Sequence, residues 1–93
     1  MRTIRQTTAF QRDLKRESKG RHRDYLVENF AKTIQALASD EPLAERFHDH
    51  ALSNNWQGFR DCHIRPDLIL IYAKPDEVTL ELVRLGSHAE LSL

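Results

Sequence analysis

The chain has 93 residues, 40% hydrophobic and 30% charged, with a formal net charge of zero, which points to one globular domain around a single core. No apolar run approaches the ~20 residues of a membrane-spanning helix, and the single cysteine, Cys62, excludes an internal disulfide. The opening MRTIRQTTAFQRDLKRE carries no apolar signal region, so a cytoplasmic, reducing location is expected.

The zero net charge conceals an asymmetry. Residues 1–23 hold eight Lys or Arg against two acids, whereas the remaining 70 residues hold six basic and twelve acidic side chains. A basic segment of that density fits either a polyphosphate footprint or a solvated helix face.

In chain order, Arg2 to Thr7 reads as a short strand with Ile4 inward. Thr8 and Gln11 have the spacing of a capping box opening a first helix that runs to about Gly20, with Phe10 and Leu14 on one face. Leu26, Phe30, Ile34 and Leu37 recur at three- and four-residue intervals and predict a second helix, stopped at Ser39-Asp40-Glu41-Pro42. Trp56 to Ile64 reads as a strand with Phe59, Asp61 and His63 on one face and Gly58, Arg60 and Cys62 on the other. Cys62 fits a small buried hydrophobe better than a nucleophile, since no activating partner is evident. Leu68 to Tyr72 is continuously apolar, the pattern of a central strand covered on both sides. Lys74-Pro75-Asp76-Glu77 predicts a turn, and Val78, Leu80 and Leu82 alternate with Thr79 and Glu81 in a last strand. After Gly86, Ser87 and Glu90 have capping-box spacing for a terminal helical turn. The order β-α-α-β-β-β predicts a compact α+β domain spanning 1–93, two helices packed on a mainly antiparallel four-stranded sheet.

The chemistry lies in the histidines. His22 sits in the basic segment, while His48, His50, His63 and His88 fall in loops or strand ends near Asp49, Asp61 and Asp67. Histidine exchanges a proton near neutral pH without a large pKa shift. Two histidines flanking a phosphodiester can deprotonate a ribose 2′-hydroxyl and protonate the departing 5′-oxygen, with Arg or Lys stabilising the added charge and no metal required. Singly, each has a structural alternative: His48 and His50 as exposed loop residues, His63 satisfied by a carbonyl or by Asp61, Asp67 as a strand starter. An HxH pair plus two distant histidines also permits a metal site, but without the spacing of a zinc motif.

The order DH…NWQGFRDCHIRPDLILIY…LVRLGSHAEL resembles the YafQ branch of the RelE/ParE toxin superfamily, whose pattern joins a loop DH, a W-x-G-[YF]-R-D-x-H-x-x-P-D-[WL]-I-L-I-Y block and a terminal R-x-G-[ST]-H. The likeness runs from Asp49 to Leu91; the first half matches more in element order than in residues. It implies a RelE-like fold and a bacterial type II toxin, a ribosome-dependent endoribonuclease cutting translated mRNA in the decoding site without metal or cofactor. The family's catalytic positions fall on His50, His63, Asp67 and His88, with Asp61, Trp56, Arg60 and Arg84 supporting. By this analogy Asp67 orients a histidine, His50 or His63 acts at the 2′-hydroxyl, and His88 protonates the leaving oxygen. The implied partners are a cognate antitoxin, a small DNA-binding protein with a flexible tail, and the ribosome with its mRNA; no membrane is involved. Lys15, Arg16, Lys19 and Arg65 are the expected RNA and ribosome contacts. The family pattern carries an aromatic residue four positions after the last histidine, where this chain has Ser92. The alternatives are a ParE-like toxin acting on a protein such as gyrase, and a non-catalytic antitoxin-binding subunit.

Overall fold

The structure is a computed structural model describing residues Met1–Leu93. Its elements are β1 (Thr3–Gln6), α1 (Thr8–Glu17), α2 (Arg23–Tyr25), a π-helical turn (Leu26–Phe30), α3 (Ala31–Ala38), a 3-10 turn (Glu45–Phe47), β2 (His50–Ala51), a second 3-10 turn (Asn54–Trp56), β3 (Arg60–Arg65), β4 (Leu68–Asp76), β5 (Thr79–Gly86) and α4 (His88–Leu91). The α+β class is as expected, but the sheet has five strands, in the order β1-β5-β4-β3-β2. The strand missed by pattern is β2, which is two residues long and pairs antiparallel with β3. The sheet is antiparallel except where β1 runs parallel to β5.

The second predicted helix is continuous from α2 to α3 through the π-turn. Such a turn detaches a carbonyl from the regular ladder; here the Asn29 side-chain amide donates to the Tyr25 carbonyl at 3.3 Å. Phe10 of α1 stacks on Phe30 with ring centroids 6.1 Å apart. Both helices cover one face of the sheet, where Leu68, Leu70 and Tyr72 of β4 meet Phe10, Leu26, Ile34 and Leu37. On the opposite face Ile69 and Ile71 pack with Leu91 of α4, together with Leu52, Trp56, Phe59 and Val83. The unbroken apolar run thus is a central strand buried on both sides, and Cys62 is a fully buried core thiol whose pKa is pushed up by burial.

Several local expectations are corrected. The N-cap of α1 is Thr7, not Thr8: its hydroxyl accepts from the Phe10 amide at 2.9 Å and donates to the Val83 carbonyl at 2.7 Å. The helix ends at Glu17, short of Gly20. Ile4 is 37% exposed, because β1 lies at the sheet edge. β3 begins at Arg60; Trp56 lies in the preceding 3-10 turn, and Gly58 between them adopts φ +91°, open to glycine at no steric cost. β4 continues through Pro75 to Asp76, moving the turn to Glu77-Val78 and leaving Val78 exposed. The terminal capping box forms as expected: Glu90 N donates to Ser87 Oγ at 3.1 Å and Ser87 N to Glu90 Oε1 at 2.9 Å.

One ion network was not foreseen. Asp13, 3% exposed, accepts from Arg84 Nε at 2.6 Å, the Leu85 amide at 3.0 Å and Arg16 Nη1 at 3.1 Å. Arg16 also donates to the Leu85 carbonyl at 3.0 Å and lies 3.3 Å from Glu90. The network ties α1 to the end of β5 and to the capped turn carrying His88.

Candidate active site

Strand register assembles the site. Residues directly opposite in an antiparallel ladder share a face. Asp61 stands opposite Ile71 and His63 opposite Ile69, so both acquire the face on which α4 packs. His50 of β2 stands opposite Asp61. A register shift between His63 and Arg65 marks the bend into β4. Asp67 precedes β4, and the Ser87 cap places His88 at the first turn of α4.

The result is a row of imidazoles centred on His63, whose ring centroid lies 5.4 Å from His48, 6.4 Å from His50 and 5.2 Å from His88. Behind His88 and His50 stands one carboxylate each. His88 Nδ1 lies 3.1 Å from Asp67 Oδ1, which also accepts from the His88 amide at 3.3 Å. The other Asp67 oxygen lies 3.3 Å from Arg21 Nη2. These hydrogen bonds from His88, side chain first, hold the Asp67 carboxyl below the usual carboxylate range. His50 Nδ1 donates to the His48 carbonyl at 2.5 Å and lies 3.1 Å from Asp61 Oδ1. The carbonyl takes the hydrogen bond, so Asp61 Oδ1 is buried with no hydrogen-bond partner. Burial raises the Asp61 pKa, against the opposing pull of His50, His63 and His88. Burial likewise lowers the His63 pKa, with the neighbouring histidines acting in the same direction and Asp61 against them.

The loop that presents His48 and His50 is anchored by Asp49, which accepts from the Tyr72 hydroxyl at 2.5 Å and from Arg60 Nε at 3.3 Å. His48 sits in the left-handed region, φ 46° and ψ 44°. A cleft of about 530 Å³ opens over the His48, His50 and His63 end of this row, lined by Arg46, His48, His50, His63, Ile64, Arg65 and Pro66. No group of three or more His, Cys, Asp or Glu stands in metal-holding geometry.

The structure therefore brings together all four expected catalytic positions, His50, His63, Asp67 and His88, with Asp61 beneath them and Arg65 on the cleft wall. The other supporting residues lie elsewhere. Trp56 packs edge-on against Phe59, centroids 5.5 Å apart, in the apolar layer. Arg60 braces the loop, and Arg84 and Arg16 belong to the Asp13 network. Arg16 is thus tied up within the fold, whereas Lys15 and Lys19 are exposed and unpaired. Sequence reading missed Arg46 and the part played by His48. The alternation Arg46, His48, His50 was the available signal, and it was obscured by a turn that no periodic pattern encodes.

The family described as bacterial toxin of type II toxin-antitoxin system, YafQ, matches residues 2–93. The mRNA interferase toxin YafQ of Escherichia coli (strain B / BL21-DE3) is 37% identical over 90 residues, covering 97% of this chain and 95% of that protein. Among solved structures, a metal-bound toxin from Helicobacter pylori is 44% identical with a TM-score of 0.83, covering 98% of this chain and 99% of the other. The E. coli DinJ-YafQ complex matches at 32% identity and TM-score 0.81, covering 98% of both chains. With the family pattern matched along nearly its whole length, the chain belongs to the YafQ family of bacterial type II toxin–antitoxin toxins.

Proposed function

We propose that the protein is an endoribonuclease that cleaves translated mRNA on the ribosome by metal-free acid–base chemistry, and that a cognate antitoxin restrains it. One observation carries the reading: two imidazoles, each fixed through Nδ1, flank a third at the mouth of a cleft walled by arginines. The His48 carbonyl holds His50 in the tautomer with hydrogen on Nδ1, which leaves the Nε2 lone pair free as general base. On this ground His50, and not His63, is taken as the base in the proposed route. Nε2 of His50 takes the proton of the ribose 2′-hydroxyl, the 2′-oxygen attacks the adjacent phosphorus, and the bond from phosphorus to the 5′-oxygen breaks. Protonated His88, oriented by Asp67, gives its Nε2 proton to that oxygen. The products are a 2′,3′-cyclic phosphate and a 5′-hydroxyl, and the two histidines have exchanged protonation states. His63, whose pKa burial lowers toward the neutral form, offers a hydrogen bond to the phosphoryl oxygens, and Arg46 faces the charge that develops there.

The likeness to a protein named mRNA interferase supports the reaction class, and the DinJ-YafQ complex supports an antitoxin as partner. Expression in a bacterial host is expected to arrest growth and translation, and co-expression of the antitoxin to restore both. Mapped mRNA ends from EDTA-treated reactions on purified ribosomes should carry cyclic or 3′-phosphates. A strict divalent-ion requirement beyond ribosome integrity, or 3′-hydroxyl ends, would refute the acid–base route. A toxin acting on a protein target, in contrast, would keep its toxicity when the histidines are replaced.

Docking is assigned to the free lysines of the basic segment. Reversing the charge of Lys15 and Lys19 together is expected to weaken ribosome binding and flatten its dependence on salt, since each phosphate contact contributes to that slope. Binding unchanged at every salt concentration would reduce the segment to a solvated helix face.

A further inference from the structure

Beside the histidine cleft lies a second depression of about 370 Å³, lined by Arg21, His22, Arg65, Pro66 and Asp67. Arg65 and Pro66 belong to both and form the ridge between them. Of the two arginines of the second depression, Arg21 pairs with Asp67 and Arg65 has no carboxylate partner. Arg21 uses Nε toward His22 Nε2 at 3.3 Å and Nη2 toward Asp67 at 3.3 Å, and its Nη1 makes no hydrogen bond. The Arg65 guanidinium lies 5.0 Å from the Tyr25 ring centroid, a cation–π contact that orients the group without consuming its donors, and it has no ion pair. His22, only 7% exposed, accepts from Arg21 through Nε2, so its hydrogen resides on Nδ1, where it is a buried donor with no partner in the protein. Burial first, and then the adjacent Arg21 charge, lowers its pKa and so favours the neutral ring. The one carboxylate present, Asp67, is already shared between Arg21 and His88.

We infer that this depression is a second phosphate subsite, in which Arg21 and Arg65 hold the RNA backbone phosphate immediately 3′ of the bond that is cut. The direction follows from Asp67, which lines the depression and at the same time orients His88, the group placed at the departing 5′-oxygen. The nucleotide that leaves past His88 therefore carries its next phosphate over the Arg65–Pro66 ridge. Planar guanidinium forks suit a phosphate better than ammonium groups do. The subsite rests on the cleavage reading for its direction, but its phosphate binding is testable without it.

Ribosome-bound mRNA carrying a single methylphosphonate, which removes the charge at that phosphate, is compared with unmodified mRNA in single-turnover cleavage. The wild-type protein is expected to lose on the order of tenfold from the substitution, the effect of a lost charge-assisted contact. Arg65→Gln and Arg21→Gln should cut the unmodified RNA more slowly and lose little further on the modified one, while Arg65→Lys recovers part of the rate. Equal losses in wild type and both variants, with unmodified RNA still cut, would overturn the subsite and leave the nuclease intact. Titration of inorganic phosphate, followed by amide NMR shifts, reads the site independently of cleavage. Saturable shifts around Arg21, His22 and Arg65 that vanish in Arg65→Gln support it, even if no RNA is cut, and their absence from the wild type refutes it.

Discussion

Replacing His88 with Gln is expected to slow mRNA cleavage at least on the order of a hundredfold, the lower end of what a positioned general acid contributes. Gln keeps the bulk and offers a hydrogen bond to Asp67 but cannot deliver a proton at neutral pH. The fold should persist, because His88 is exposed at the first turn of α4 and that turn is capped by Ser87 and Glu90, which are untouched. Thermal unfolding within a few degrees of wild type and undiminished antitoxin binding are the controls. Single-turnover cleavage on programmed ribosomes is the measurement; a stable His88→Gln protein cutting at near the wild-type rate would remove His88 from the mechanism.

The second large effect is on stability. Asp13→Ala is expected to cost about 3 kcal/mol, because it strands the Arg84 guanidinium and the Leu85 amide without their acceptor. For a domain of this size that corresponds to a fall in Tm of roughly 15 °C. Asp13 also confers a pH dependence. Burial alone would raise its pKa, but the hydrogen bonds from Arg84 and Leu85 and the charges of Arg84 and Arg16 together hold it below the ordinary value. A depressed carboxyl pKa contributes stability that is present above the unfolded-state value near 3.9 and lost as pH falls through the lower folded value. Wild type should therefore lose more stability between pH 5 and acid than Asp13→Ala does. Melting temperatures that fall in parallel, or a variant that melts within two or three degrees of wild type, would show the network to be inconsequential.

The fold class, the doubly buried β4 and the capped turn at His88 were legible because each is written in a local pattern: a continuous apolar run, or a serine and a glutamate three residues apart. Asp13 was not legible, as one of two acids in a basic segment, because its meaning depends on Arg84, 71 residues away. The choice between Thr7 and Thr8 as cap was equally beyond local reading. Adjacent threonines offer the same hydroxyl, and a bond to Val83, 76 residues on, decides between them. Among the site residues, the family motif marked the four that converge, but motif position could not separate Arg65, on the cleft wall, from Arg60 and Arg84, which brace the scaffold. β2 shows the limit of periodicity. Two residues cannot display an alternation, yet their pairing with β3 is what sets His50 opposite Asp61.

The parallel pairing of β1 with β5 has a consequence for the order of assembly. Thr3 to Gln6 find their ladder partners only in Thr79 to Leu82, and α1 is fastened through Asp13 to the residues that follow. Such distant closure makes for slow folding. During synthesis the N-terminal strand and helix must wait, without their native partners, until β5 has emerged. His88 itself is translated after β5. The row of imidazoles, which needs His88 from beyond β5, is therefore completed only after the strand that also releases β1 and α1 from their wait, so the sheet edge and the histidine cluster close in one late step.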